Sequence, residues 1–135
     1  MLFSGSGLLQ ELLVDTVTGV PESVAPIDAV AAALDAAGTL LQERREFSRQ
    51  RQAVIVANPE LQERELLKLA SLAAAMAGAL RRRGVADPTA SLTAEAGVAV
   101  FKIAFARWQA EPGDGDLRSL IRDSLDELRA SIAAG

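Results

Sequence analysis

From Ala94 to Ala106 the chain reads AEAGVAVFKIAFA, and its only charges there are Glu95 and Lys102. Wound as a helix, that run has no polar face. Phe101, Phe105 and, further on, Trp108 share one side, while Ala99, Val100 and Ile103 share another. A helix apolar nearly all round is buried on both sides. A small bundle does not easily cover both faces of such a helix, whereas a second copy of the chain does so through a two-fold interface. Phe101, Phe105 and Trp108 therefore face one of three things: their own core, a bound small molecule, or a second subunit.

The rest of the sequence supplies helices. At 135 residues the chain is expected to form one domain, residues 1–135, burying roughly two-thirds of its unfolded surface. Half of its residues are apolar, chiefly Ala and Leu, which are strong helix formers and let helices approach closely. The expected class is all-α, a six-helix bundle. Leu8, Leu9, Leu12 and Leu13 mark a first segment from about Ser6 to Val17. A second begins at Pro26 and carries the stripe Ile27, Val30, Ala31 and Leu34. A charged stretch leads into a third that ends near Ala57, and the second and third are either two helices or one bent one. Asn58 is a good N-cap and Pro59 suits a first helical position, so a fourth segment starts there and runs to Arg83, with Gly84 as its left-handed cap. Asp87 and Pro88 repeat the start signal for a fifth, over about 88–110. After the turn EPGDGD, Asp116 caps a sixth that ends near Ile132.

Missing residue types narrow the chemistry. Without Cys there are no disulfides, thiolate metal sites or cysteine nucleophiles. Without His, the commonest acid/base at neutral pH and the commonest metal ligand are both lost. Glu60, Glu63 and Glu65 fall on different helix faces, and Asp114 and Asp116 suit a turn and a cap. The GDGD run lacks the twelve-residue calcium pattern. No catalytic residue, metal or cofactor is expected, and no enzymatic activity; a cofactor-free enzyme built on buried carboxylates is a third-ranked reading. The net charge of −4 argues against a nucleic-acid surface spread over the domain. The uncharged run LASLAAAMAGAL at 69–80 is about a third short of a membrane span. The N-terminus lacks a basic region and meets Glu11 too early for a signal peptide, so no membrane partner and a cytoplasmic location are expected.

Four other features carry expectations. The sixth segment has one largely apolar stripe, Leu117, Leu120, Ile121, Ser124, Leu125, Leu128 and Ile132, opposite Arg118, Arg122, Asp123, Asp126 and Glu127. Arg81, Arg82 and Arg83 read as a solvated helix end, with a phosphate contact as the alternative. The mixed charges at 43–51 read as a solvated face, with Phe47 and Val54 turned inward. Leu66, Leu69, Ala73, Met76 and Leu80 form an inward stripe. The small residues of the middle helices either pack tightly or leave a void between helices that would take a small hydrophobic ligand.

The segments RQRQAVIVANPELQERELLKLASLAAAMAGALRRRGV and DPTASLTAEAGVAVFKIAFARW, followed by an acidic turn, resemble in order the C-terminal domain of TetR-type transcriptional regulators, from about Phe3 to Ile132. The resemblance implies an all-helical domain whose last two helices form an intersubunit four-helix bundle, while the preceding helices enclose a small-molecule pocket. In that family, ligand binding changes the spacing of two N-terminal helix-turn-helix domains and releases DNA. Carried over by position, Val100, Ile103, Phe105, Trp108, Leu117, Ile121, Leu125 and Leu128 would form the homodimer interface. Phe47, Val54, Leu69, Met76 and Phe101 would lie at the ligand. The helix-turn-helix is missing from this sequence, and Leu2 and Phe3 resemble the tail of its last helix. The expectation is thus an effector-sensing and dimerising domain that binds a small lipophilic ligand and reaches DNA only through that missing part. The alternative is a ligand-free helical protein–protein interaction domain.

Overall fold

The structure, a computed structural model, describes residues 4–110 and 115–134, with side chains over 7–110 and 115–133. Among these residues there are six helices and no strand. They are α1 (Ser4–Gly19), α2 (Pro26–Glu43), α3 (Arg45–Val56), α4 (Pro59–Arg82), α5 (Thr89–Ala110) and α6 (Leu117–Ala134). The expected tail of an earlier helix at Leu2 and Phe3 lies outside the described residues, as does the turn residue Asp114. The second and third segments are two helices. They part at Arg44, whose φ of −114° and ψ of 30° are not helical.

Local chemistry sets the helix ends. The Asn58 side-chain oxygen accepts from the backbone N–H of Glu60 at 3.0 Å and of Leu61 at 3.4 Å, satisfying two otherwise unpaired donors at the start of α4. At the other end of α4, Gly84 takes a φ of +94°. Its N–H donates to the Arg81 carbonyl, and the Val85 N–H donates back to Leu80, both at 2.9–3.0 Å. That paired closure is the Schellman motif, with apolar Val85 packed towards the core that holds Leu80. α5 begins at Thr89, one residue after Pro88, and Asp87 accepts from the Ser91 N–H at 3.1 Å. Asp116 does the same for Arg118 at the start of α6.

α5 is covered from three sides, by α2, α4 and α6. α2 lies closest. A methyl group added to Gly97 would sit 2.4 Å from Val30 Cγ1, so the absent side chain is what lets the two helices meet. Gly38 plays a similar part between α2 and α6, facing Arg118 and Ile121. α1 packs on α2 and α4 and closes the other side of the core. Buried Leu34, Met76, Leu80, Trp108, Leu117 and Ile121 fill the centre.

Arg83 is not a solvated helix end. Its guanidinium crosses to the end of α1 and the following loop and donates to the carbonyls of Val17, Val20, Pro21 and Val24 at 2.6–3.3 Å. Four carbonyls left by the finishing helix and its turn thus share one cation, which also suits the negative end of α1. Arg81 pairs instead with Asp87 at 2.8 Å. Replacing Arg83 by Met keeps the stem and removes the donors, and is expected to destabilise the fold by about 2 kcal/mol in urea unfolding. Arg82→Met is the matched control and should change little.

On the outer side of α2, Asp35 receives Arg118 at 2.9 and 3.0 Å and Arg122 at 3.1 Å. The Arg118 hydrogen bonds hold the Asp35 carboxyl below its ordinary pKa of 3.8, against the opposing effect of partial burial. A carboxylate depressed in the folded state stabilises it fully above the unfolded pKa, and that contribution fades as pH falls through the folded value. Thermal unfolding followed downward from pH 5 should therefore show wild type losing stability below 3.8 more steeply than Asp35→Asn.

Candidate functional site

The break at Arg44 lets α3 swing away from the bundle, and a cavity of about 380 Å³ lies between α3, α4 and α5. Leu9 of α1, Leu69 and Leu72 of α4 and Phe101 of α5 form its apolar floor. Beneath that floor only about 10 Å³ of free space remains, among Leu13, Leu34, Met76 and Val98, so the bundle is packed there. α3 presents Phe47, Ser48, Arg51 and Ile55 to the cavity, positions spaced at one helical face. Phe101 and Phe105 stack at 5.8 Å between ring centroids on the α5 wall, beside Lys102 and Ala106.

Polar groups gather in the α3–α4 wall. Arg51 bridges the two helices by a bidentate pair to Glu65, at 2.7 and 3.3 Å. The Lys68 ammonium, also at the wall, lies 3.9 Å from Glu65. Burial pushes the Lys68 pKa below the usual lysine value, Glu65 acts against that, and the Arg51 charge adds to it. Among the described residues no group of three or more carboxylates converges as a metal site would require.

A polar knot fixes how α3 leaves α2. The Gly115 carbonyl, in the connection to α6, accepts from Gln42 Nε2 at 3.2 Å, Arg45 Nη1 at 2.7 Å and Trp108 Nε1 at 3.0 Å. The Leu117 N–H returns to Gln42 Oε1 at 2.9 Å. The Arg45 guanidinium also lies 5.2 Å from the centre of the Trp108 ring. The wall of the cavity is therefore anchored to the junction of α5 and α6.

Of the residues expected at a ligand, Phe47, Leu69 and Phe101 line the cavity. Met76 lies below the floor. Val54 does not turn inward as expected. It is half exposed and absent from the lining, because the inward face of α3 runs through Ser48 and Ile55, one position away. The sequence reading missed Arg44, Arg51, Glu65, Lys68 and Lys102, all of which line the cavity. The spacing of Arg44, Ser48, Arg51 and Ile55 was the available signal, an inward stripe that the surrounding charges disguised.

Of the residues expected at a subunit interface, Val100, Trp108, Leu117, Ile121 and Leu125 are buried within the chain's own core. Phe105 and Leu128 are half-buried against that core, and Ile103 is 57 % exposed. Val100 and Ile103 thus do not share an outward face: α2, α4 and α6 together cover a wide enough arc of α5 to take in Val100. Exposed on α5 are the apolar Leu92, Ala99 and Ile103, which share one side, with the charged Glu95, Lys102 and Arg107 also exposed on the helix. α5 has the length and apolar composition of a membrane-crossing helix, the one such among the described residues, a resemblance that core helices share.

Residues 24–133 match the family described as the MftR C-terminal domain. The chain belongs to this TetR-type C-terminal domain family. A comparison with curated proteins finds no match. The match spans α2 to α6 and so takes in the α3, α4 and α5 walls of the cavity. A TetR-type domain of this kind is a regulatory module.

Proposed function

We propose that residues 1–135 act as the effector-sensing and dimerising part of a TetR-type transcriptional regulator, without enzymatic activity and working in the cytoplasm, with DNA reached through a helix-turn-helix and not through these helices. The observation that carries this reading is that one helix has two faces with two uses. The inner face of α5 lines the cavity with Phe101, Lys102, Phe105 and Ala106, while Leu92, Ala99 and Ile103 on its outer side are apolar and uncovered. A small molecule filling the cavity would favour one setting of α3 and α5, and a second copy packed on the outer stripe would carry that setting across the pair. The partly buried Leu128 and exposed Ile132 would extend the apolar surface onto α6, so that α5 and α6 with their copies would form the intersubunit four-helix bundle.

Thermal unfolding of the purified chain against a panel of small lipophilic compounds tests the sensing half. A ligand specific for the folded state raises the midpoint in proportion to its occupancy. At least one compound should do so, and the gain should vanish when Phe101→Trp fills the cavity floor. A panel that leaves the midpoint unmoved throughout would favour the ligand-free interaction domain.

A further inference from the structure

We propose that the effector is an organic monoanion, an apolar or aromatic body ending in one acidic group that is held by the cationic wall of the cavity. This rests on the cavity being the effector site, and it goes further by fixing the ligand's charge and shape. The chain as a whole is acidic, at −4, yet the cavity is lined by Arg44, Arg51, Lys68 and Lys102 with a single carboxylate, Glu65. Both oxygens of that carboxylate are engaged by Arg51. Lys68 is left with Glu65 only at 3.9 Å, and its side chain is just 16 % exposed. Among the described residues, Arg44 and Lys102 form no ion pair.

The energetics favour an anion. An ammonium withdrawn from water loses solvation that a carboxylate brought beside it restores, through a charge-assisted hydrogen bond. A neutral ligand leaves that loss uncompensated, and a cation adds repulsion. Burial already works against the charged form of Lys68. The opposite end of the ligand meets the stacked Phe101 and Phe105 rings and the leucine floor, surfaces that favour a flat or branched hydrocarbon body. The acid would meet Lys68 in the α3–α4 wall and the ring the phenylalanine pair on α5, with Lys102 beside that pair adding to the preference for an anion.

Calorimetric titration of the intact chain with 4-(2-naphthyl)butyrate, 4-(2-naphthyl)butanol and 4-(2-naphthyl)butylamine separates the terms, since the three share a body and differ only in head group. The acid should bind about ten-fold more tightly than the alcohol, with the amine weakest, and the preference should shrink in added salt. In Lys68→Met the acid-to-alcohol affinity ratio should fall to about one. Lys102→Met, at an exposed position that leaves the fold intact, should lower the ratio in the same direction by a smaller factor. Equal binding of acid and alcohol, or tightest binding of the amine, would overturn the anionic effector while leaving the cavity as a ligand site. Absence of binding by all three compounds would overturn the proposal together with the sensing role of the cavity.

Discussion

Trp108→Ala is expected to destabilise the protein by about 3–5 kcal/mol, the range for removing a large buried aromatic side chain. The indole is 1 % exposed, packs 5.6 Å from the Phe105 ring and donates from Nε1 to Gly115. Truncation therefore removes apolar contact, opens a cavity and withdraws one of three donors from the partly buried Gly115 carbonyl. The effect should spread beyond stability. The Gly115 carbonyl also receives Gln42 and Arg45, the residues on either side of the α2–α3 break, so its loss of one donor loosens the frame that sets α3 over the cavity. Trp108→Phe keeps much of the volume and loses the donor, and should cost about 1–2 kcal/mol. Because Trp108 is the only tryptophan, the variants must be followed by circular dichroism in urea, while wild type can be followed by fluorescence as well. A wild-type midpoint for Trp108→Ala would mean that the junction of α5 and α6 is not held as described.

Ile103→Glu is expected to raise the dimer dissociation constant by at least 100-fold, or about 2.7 kcal/mol, because a two-fold interface meets each added carboxylate with its copy and strands it in an apolar stripe. Ile103 is 57 % exposed within one chain, so the monomer fold should be unchanged. One substitution should lower stability because its side chain serves the core; the other should separate the proposed subunits while leaving each folded. Val54→Glu is the control, since Val54 is comparably exposed but lies on α3, away from the stripe. Its association should match wild type.

What the sequence made legible was local. Asn58 before Pro59, Gly84 after three arginines and Asp116 before Leu117 each act within a few residues of themselves, and each ends or starts a helix where the spacing implied. The six-helix count and all-helical class follow from such signals. Long-range partnerships were not legible. Arg83 stands in a run of three identical residues, and only the arrival of α1 and its following loop beside α4 distinguishes it by supplying four carbonyls more than fifty positions away. The phase of α5 was half legible. Its uniform apolar surface gave no polar marker to say where the inward arc ends, and Val100 fell on the wrong side of that line. The charged wall of the cavity escaped for the reverse reason: Arg51 and Glu65 look solvated in sequence and find each other only when α3 folds back on α4. Charge normally marks a surface. Here part of it marks the inside of a cavity.

Sedimentation equilibrium of the wild-type chain from about 1 to about 100 µM tests most directly whether the open stripe on α5 is shared between two copies. A mass approaching twice that of the 14.2 kDa chain within that range, reverting to the single-chain mass in Ile103→Glu, is the predicted result. A wild-type mass that stays at one chain throughout would contradict it.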